Sequence, residues 1–166
     1  VVRQEAARRL GARVILPKQT LFHPAAPLVG HPDGWFPRLR AGLACKAADK
    51  FEAEEFGEPD SDQVPVRYLV QCAGYMALTN ADEWHLAVLI GGNDFRMYRI
   101  PRDPQLEEAI LAGVREFWSH VEQRRPPDPE TPDDVKLRWP KDLGTSIDAT
   151  PEIENVCADL GFAKVE

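Results

Sequence analysis

The sequence predicts a mixed α/β domain, and three observations carry that prediction. Large apolar residues recur at every second position from 84 to 90, the period of a β-strand, and a second strand pattern follows the turn at 91–94. Apolar residues recur at helical spacing along 66–76 and again along 106–121. The segments follow the order helix, three strands, helix, two strands, helix, which is typical of mixed α/β folds.

The first fifty residues predict one helix and several short extended segments. Residues 1–10 are spaced for a helix that ends at Gly11. We expect a strand from Val14 to Leu21 and then an irregular extended run over 22–30, where prolines are frequent. The segments 29–36 and 42–47 are expected to form a hairpin about the intervening PRLRA turn.

The remaining elements have clearer boundary signals. The acidic segment 49–62 has the composition of a surface loop, and Pro65 suits the first turn of the helix that follows it. The segments 84–90 and 95–100 form a hairpin about Gly91-Gly92-Asn93-Asp94. Asp103 is a suitable N-cap for the last helix, which opens with Pro104.

Composition limits the class of protein. The chain has 166 residues, 43% hydrophobic and 28% charged, which suits one globular core and excludes a disordered chain. No apolar stretch is long enough for a membrane helix, so no membrane partner is expected. The proline-rich run after Arg124 indicates a linker. We therefore expect a core domain over 1–125 and a linker with a tail over 126–166, including a helical turn or two after Pro151.

The three cysteines, Cys45, Cys72 and Cys157, lack the spacing of a disulfide framework or a zinc site. This pattern favours a reducing compartment, and we expect an intracellular, cytoplasmic protein.

The net charge of −7 is concentrated in one segment. Residues 49–62 hold seven carboxylates and one lysine, a local balance of −6, so the rest of the chain is nearly neutral. A locally basic surface that contacts phosphate therefore remains compatible with the composition. Arg38, Arg40 and Lys46 lie in one short stretch and are the candidate DNA contacts.

One arrangement of residues suggests phosphodiester chemistry. Asp33 lies in a Pro-Asp-Gly sequence, and Ala44-Cys45-Lys46 follows about a dozen residues later on the next strand. A carboxylate at the end of one strand, with an acid and a lysine two apart on a second strand, is a recurrent arrangement for cutting phosphodiesters. Residues two apart on a strand share a face, so positions 33, 44 and 46 can converge. Carboxylates at such a point would hold Mg²⁺, and the lysine would orient water and offset phosphate charge.

Four segments resemble the motifs of the YqaJ-like viral recombinase family, relatives of phage lambda exonuclease within the PD-(D/E)xK nuclease superfamily. They are HPDGW (31–35), GLACKAA (42–48), VPVRYLVQCAGYMALT (64–79) and WHLAVLIGGNDFRMYRIPRD (84–103). The resemblance runs from Val1 to about Pro126 and continues more weakly through the tail. It implies a restriction-endonuclease-like core with a central mixed β-sheet flanked by helices.

The resemblance also implies a function and a set of site residues. The function is a metal-dependent deoxyribonuclease that acts on duplex DNA ends in phage recombination, with Mg²⁺ as cofactor and Mn²⁺ as an alternative. Asp33 would be the metal carboxylate, the Cys45 carbonyl a further ligand and Lys46 the catalytic lysine. Gln71 and Tyr75 match the family's Q-x-x-x-Y residues beside the active site. A single-strand annealing partner, a homotrimer and a location in a bacterial or phage-infected cell are further implications.

Tyr68 precedes Gln71 by three residues and shares its helix face, so we expect it to contact DNA.

The sequence departs from the family pattern at two places. Ala44 stands where the family has a glutamate, which removes both a ligand and a negative charge. The family also places an acid on the first helix, ahead of the segment that VVRQEAARRLG resembles, and Glu5 does not occupy that position. We therefore expect a weak or inactive catalyst. Ala44 is either an inactivating substitution that traps a complex or the mark of a natural pseudo-nuclease.

Each candidate residue also has an ordinary structural interpretation. Asp33 fits a Pro-Asp-Gly turn, Lys46 fits a solvated strand end, and Gln71 with Tyr75 fits an exposed helix face. The joint pattern in the correct order favours a site. Two other function classes stay open: a DNA- or partner-binding module that does not cut, and a phage structural protein without affinity for DNA.

Overall fold

The computed structural model describes residues 1–141, 144 and 148–163. The backbone divides into two compact units, Val1–Arg125 and Pro126–Glu166. Residues 142–143, 145–147 and 164–166 of the predicted tail lie outside the described residues.

The first unit is built on a four-stranded mixed sheet. Its strands are β3 (Gly34–Phe36), β4 (Ala41–Ala48), β5 (Glu83–Ile90) and β6 (Asp94–Pro101), in that spatial order. They follow β1 (Leu21–Phe22) and β2 (Val29–Gly30), which pair with each other in a separate antiparallel ribbon. The pairing is antiparallel at β3–β4 and β5–β6 and parallel at β4–β5. The expected mixed sheet is therefore confirmed, and so is the hairpin of 84–90 with 95–100. The first expected hairpin forms only between 34–36 and 41–43.

Helices cover both faces of this sheet. The helices of the first unit are α1 (Val2–Arg9), α2 (Val66–Thr79) and α3 (Pro104–Glu122). α1 packs on one face, around Leu43 and Ala87, and α2 packs on the other, around Ala44 and Trp84. α2 begins directly after Pro65, and the Asp103 carboxylate accepts from the first free N–H groups of α3, as predicted.

Two of the expected strands are wrong. The expected strand from Val14 to Leu21 forms only at its two ends: Leu21 pairs with Gly30 in β1, and Ile15 pairs with the main chain of Trp35 through two 2.8 Å hydrogen bonds. Pro17 lacks an N–H and cannot continue that pairing. The expected extended segment 29–36 is broken at 31–33, where Pro32 separates β2 from β3.

Three segments expected to be loop or short turns are helical. Lys50–Glu55 forms a 3₁₀ helix within the acidic segment, because Asp49 and Glu52 make a capping box. In the second unit, Thr131 and Asp134 make another capping box at the start of α4 (Pro132–Arg138), and α5 covers Pro151–Ala163. None of the described helices is long and apolar enough to span a membrane.

Gly42 has no side chain, and the ring of Trp84, the largest buried side chain, occupies the space where one would lie. Trp84 is 0% exposed, and a Cβ added at Gly42 would lie 2.1 Å from its ring. No side-chain rotation relieves this overlap, because the ring is enclosed by α2 and the sheet. The close pairing of β4 with β5 at this point therefore requires glycine.

We predict that Gly42→Ala lowers the free energy of unfolding by about 2–3 kcal/mol or more, the cost of overpacking a closed core. Gly113→Ala is the matched control, because its Cβ would meet no atom within 4 Å. The control should raise stability by about 0.5–1 kcal/mol through helix propensity. Urea unfolding followed by circular dichroism measures both, and equal effects would contradict the packing argument.

Candidate functional site

The turn between β2 and β3 brings Asp33 to the edge of β4. β3 pairs with β4 from Phe36 opposite Ala41 to Gly34 opposite Leu43, and Asp33 directly precedes it. Beyond that point, the N–H of Cys45 donates to Oδ2 of Asp33 over 2.8 Å. The carboxylate thus takes the place of a missing strand partner. In an antiparallel ladder the N–H and C=O of one residue face the same neighbour, so the Cys45 carbonyl lies on the Asp33 side as well.

Ala44 and Lys46 share the face of β4 that packs against α2, as strand alternation predicts. Ala44 is 0% exposed and packs in the same apolar cluster as Cys72 and Ala73 of α2. Nζ of Lys46 lies 5.5 Å from the centre of the Tyr68 ring. Lys46 is half-buried, and within the described residues its ammonium makes no hydrogen bond or ion pair.

Tyr75 joins α2 to the segment that leads into Asp33. Its hydroxyl donates to the carbonyl of His31 over 3.1 Å, and Nε2 of Gln71 lies 3.4 Å from the same hydroxyl. Its ring stacks on Trp84, with 5.1 Å between the ring centres. Burial, and then the negative charge of Asp33, raise the pKa of Tyr75. The two helix residues singled out in the sequence therefore lie beside Asp33.

The proposed DNA contacts are not all brought together. Arg38 and Arg40 lie exposed in the turn between β3 and β4, at the far end of β3 from Asp33. Arg40 adopts a left-handed backbone conformation there, with φ 52°. Six residues of extended strand separate Arg40 from Lys46, a distance of about 20 Å. The Tyr68 ring is partly covered, because it stacks on the buried Phe56.

Arg3 is a site residue that the sequence reasoning missed. Its Nη1 donates to the main-chain carbonyl of Asp33 over 3.1 Å, from the first turn of α1. Burial, and then the charge of Asp33, raise the pKa of the Cys45 thiol to about 11, while Arg3 and Lys46 act in the opposite direction. The charges of Asp33, Arg3 and Lys46 therefore all act on the Cys45 thiol. No sequence signal links residues 30 positions apart, so only the fold reveals Arg3.

Glu5 is not part of this site. Its carboxylate binds Arg8 and Arg9 on α1, at 2.7 and 3.1 Å. Hydrogen bonds from Arg8, and then from Arg9, lower the pKa of Glu5 to about 2. It therefore does not replace the acid that the resemblance places ahead of α1.

The described residues supply only part of the Mg²⁺ site that the resemblance implies: the Asp33 carboxylate and the Cys45 carbonyl are present, and the ligand expected at position 44 is missing. Mg²⁺ requires octahedral oxygen coordination and is usually held by one or two carboxylates. Asp33 offers one carboxylate, already engaged by the Cys45 N–H, and Ala44 offers no ligand. Among residues 1–141, 144 and 148–163, no three histidine, cysteine or acidic side chains form a metal-binding group.

Neither cysteine near the site is suited to nucleophilic chemistry. Burial raises the pKa of the Cys72 thiol to about 12 and that of Cys45 to about 11, whereas Cys157 is exposed. A rise of two pKa units lowers the thiolate fraction at neutral pH about a hundredfold.

We predict that iodoacetamide at about pH 7.5 alkylates Cys157 first and Cys45 and Cys72 at least about a hundredfold more slowly. Mass spectrometry after timed quenching measures the three rates. All three should react at similar rates in denaturant. Fast alkylation of Cys45 in the folded protein would contradict the raised pKa.

The comparisons with known proteins agree with the motifs. Residues 1–82 match the sequence model of the YqaJ-like viral recombinase domain. The uncharacterized protein YqaJ of Bacillus subtilis (strain 168) is 30% identical over 122 residues, which cover 72% of this chain and 37% of YqaJ. The chain thus spans little more than a third of that relative.

Solved exonuclease structures share the fold. An alkaline exonuclease from Laribacter hongkongensis superposes with a TM-score of 0.61 and 19% identity, over 74% of this chain and 64% of that one. A phage related exonuclease from Haemophilus somnus 129PT gives a TM-score of 0.57 and 12% identity, over 74% of this chain and 68% of that one. These structures support the fold, and the match of residues 1–82 confirms the resemblance to the YqaJ-like viral recombinase domain seen in the motifs.

Proposed function

We propose that this chain is the DNA-binding nuclease domain of a phage-type recombination system, in which Ala44 has weakened or abolished metal-dependent cleavage. The observation that carries the proposal is the hydrogen bond from the Cys45 N–H to Asp33. It holds the aspartate of one motif against the strand that presents Lys46 of the next. The family match and the exonuclease fold support DNA as the substrate class.

Each site residue has a part in this proposal. Lys46 approaches the DNA phosphate, and Asp33 is held beside it by the main chain of Cys45. Gln71 and Tyr75 fix the segment that carries Asp33, through the bond from Tyr75 to His31.

The more distant contacts complete the proposal. Tyr68 supports Lys46 from α2, and Arg38 with Arg40 contact the backbone about 20 Å away. Duplex ends as the preferred substrate, a single-strand annealing partner, a trimeric assembly and a cytoplasmic location rest on the resemblance alone.

Position 44 decides whether the domain cuts. A glutamate there would share the α2 face of β4 with Lys46 and complete a carboxylate pair with Asp33. A bound Mg²⁺ would then supply Lewis-acid stabilisation of the phosphate and an activated water. With alanine, the site holds one carboxylate and cannot supply this pair.

We predict that Ala44→Glu, in a longer chain that carries the acid the resemblance places ahead of α1, confers Mg²⁺- or Mn²⁺-dependent cleavage of linear duplex DNA. The same chain with Ala44 should cut slowly or not at all. Adding Lys46→Ala to Ala44→Glu should lower the cleavage rate about 100- to 1000-fold, the usual contribution of such a group. Gel electrophoresis of end-labelled duplex, with and without EDTA, measures the rates. Calorimetric titration with Mn²⁺ measures the gain in metal affinity separately.

Ala44 is enclosed, so Ala44→Asp provides a shorter carboxylate, and circular dichroism verifies that each variant is folded. A folded carboxylate variant that binds Mn²⁺ but cuts no linear or branched DNA would reject the nuclease interpretation. The binding-module interpretation would then take its place.

A further inference from the structure

The charges gathered at Asp33 favour an anion over a cation. The Asp33 site consists of Asp33, Arg3, Lys46 and the main chain of Cys45. Among the described residues it holds one carboxylate and two cations, Arg3 reaching Asp33 from α1 and Lys46 lying on the face of β4 that packs against α2, and Ala44 adds no charge. We infer that this site binds a DNA backbone phosphate directly, without a bridging divalent metal, and that Arg3 and Lys46 are its cationic contacts. The inference rests on the proposed function for its ligand.

Lys46 is available to such a phosphate. Its side chain is half-buried against α2, and its ammonium has no anionic partner within the residues that the structure describes. Taking a cation partly out of water without a counter-ion is unfavourable, so an incoming phosphate oxygen relieves a cost already present. The Tyr68 ring, 5.5 Å from Nζ, supports the ammonium without neutralising it.

The acidic segment 49–62 does not supply that counter-ion. Its Glu52 and Glu55 are held by Arg67 of α2, each at 2.7 Å. The Arg67 guanidinium lies over the ring of Tyr68, 4.8 Å from its centre. Arg67 thus binds these two carboxylates, and among the described residues Lys46 has no anionic partner.

Arg3 supplies the second cation, and within the part of the chain that the structure describes most of its donors are unused. A guanidinium has five N–H donors, and Arg3 commits one of its nitrogens, Nη1, to the carbonyl of Asp33. That bond fixes the side chain beside Asp33, which lowers the entropy lost when the remaining donors bind. The planar guanidinium also matches the spacing of two phosphate oxygens.

The test measures the salt dependence of DNA binding with and without metal. The probe is a fluorescent blunt duplex of about 20 base pairs without terminal phosphates, titrated by anisotropy between about 50 and 200 mM KCl, in EDTA or in Mg²⁺ at matched ionic strength. We expect the wild-type chain to bind at least as tightly in EDTA as in Mg²⁺. Arg3→Gln and Lys46→Gln should each lower the slope of log affinity against log salt by about 1, and the affinity near 100 mM salt by roughly tenfold.

Arg8→Gln is the matched control, because Arg8 is on the same helix but bonds Glu5 rather than Asp33. It should leave the slope unchanged. The charge-conserving variants Arg3→Lys and Lys46→Arg should keep the slope, which a purely structural role for either side chain does not predict. If a glutamine variant fails to fold, the salt dependence of these charge-conserving variants still tests the inference.

The outcomes separate this inference from the proposed function. Binding that requires Mg²⁺, or unchanged slopes in both glutamine variants, overturns direct phosphate binding and leaves the DNA-binding domain standing. An absence of DNA binding in every condition overturns the proposed function itself.

Discussion

The contact between Trp84 and Gly42 is the constraint on which the geometry of the site depends. The Trp84 ring occupies the space where a side chain of residue 42 would lie, and it also supports Tyr75 by stacking at 5.1 Å. Tyr75 in turn holds the carbonyl of His31, two residues before Asp33. One buried ring therefore links the parallel β4–β5 pair to the loop that carries the aspartate. A change in core packing would consequently alter the site without touching any charged group.

The exchange of one residue changes what this scaffold can bind. A glutamate at 44 would give two carboxylates beside the two cations Arg3 and Lys46. The site would then be neutral before a divalent cation binds. With alanine, the same backbone presents a net positive charge. The geometry imposed by the fold is the same in both cases, including the capture of Asp33 by the Cys45 N–H. Fold similarity to exonucleases is therefore compatible with either chemistry, and under the proposed function the side chain at 44 decides between them.

The sequence predicted the elements whose signals are local. α2 and the β5–β6 hairpin have strong periodicity and defined ends, and both form as expected. The strand expected at 14–21 failed because Pro17 interrupts pairing after Ile15. The capping boxes at Asp49 and Thr131 start short helices in segments whose composition predicted a loop or a linker.

The sequence predicted the site only in part, because proximity along the chain differs from proximity in space. Arg38 and Arg40 are near Lys46 in sequence, yet an extended strand carries them about 20 Å away. Arg3 is 30 positions from Asp33 and contacts it directly. A motif search finds groups that share an element or a family pattern. A contact between α1 and the start of β3 requires the tertiary structure.

A chain with a net charge of −7 can still present a cationic site, because its charges are segregated. Most of the excess is in segment 49–62, where Glu52 and Glu55 are already paired with Arg67. Interactions between exposed charges weaken beyond about 8–10 Å at physiological ionic strength, so the remaining carboxylates of that segment repel distant phosphates only weakly. The charges within a few ångströms of Asp33 therefore dominate the local potential. Net charge limits non-specific attraction to nucleic acid, and the arrangement of Arg3, Asp33 and Lys46 determines what the site itself accepts.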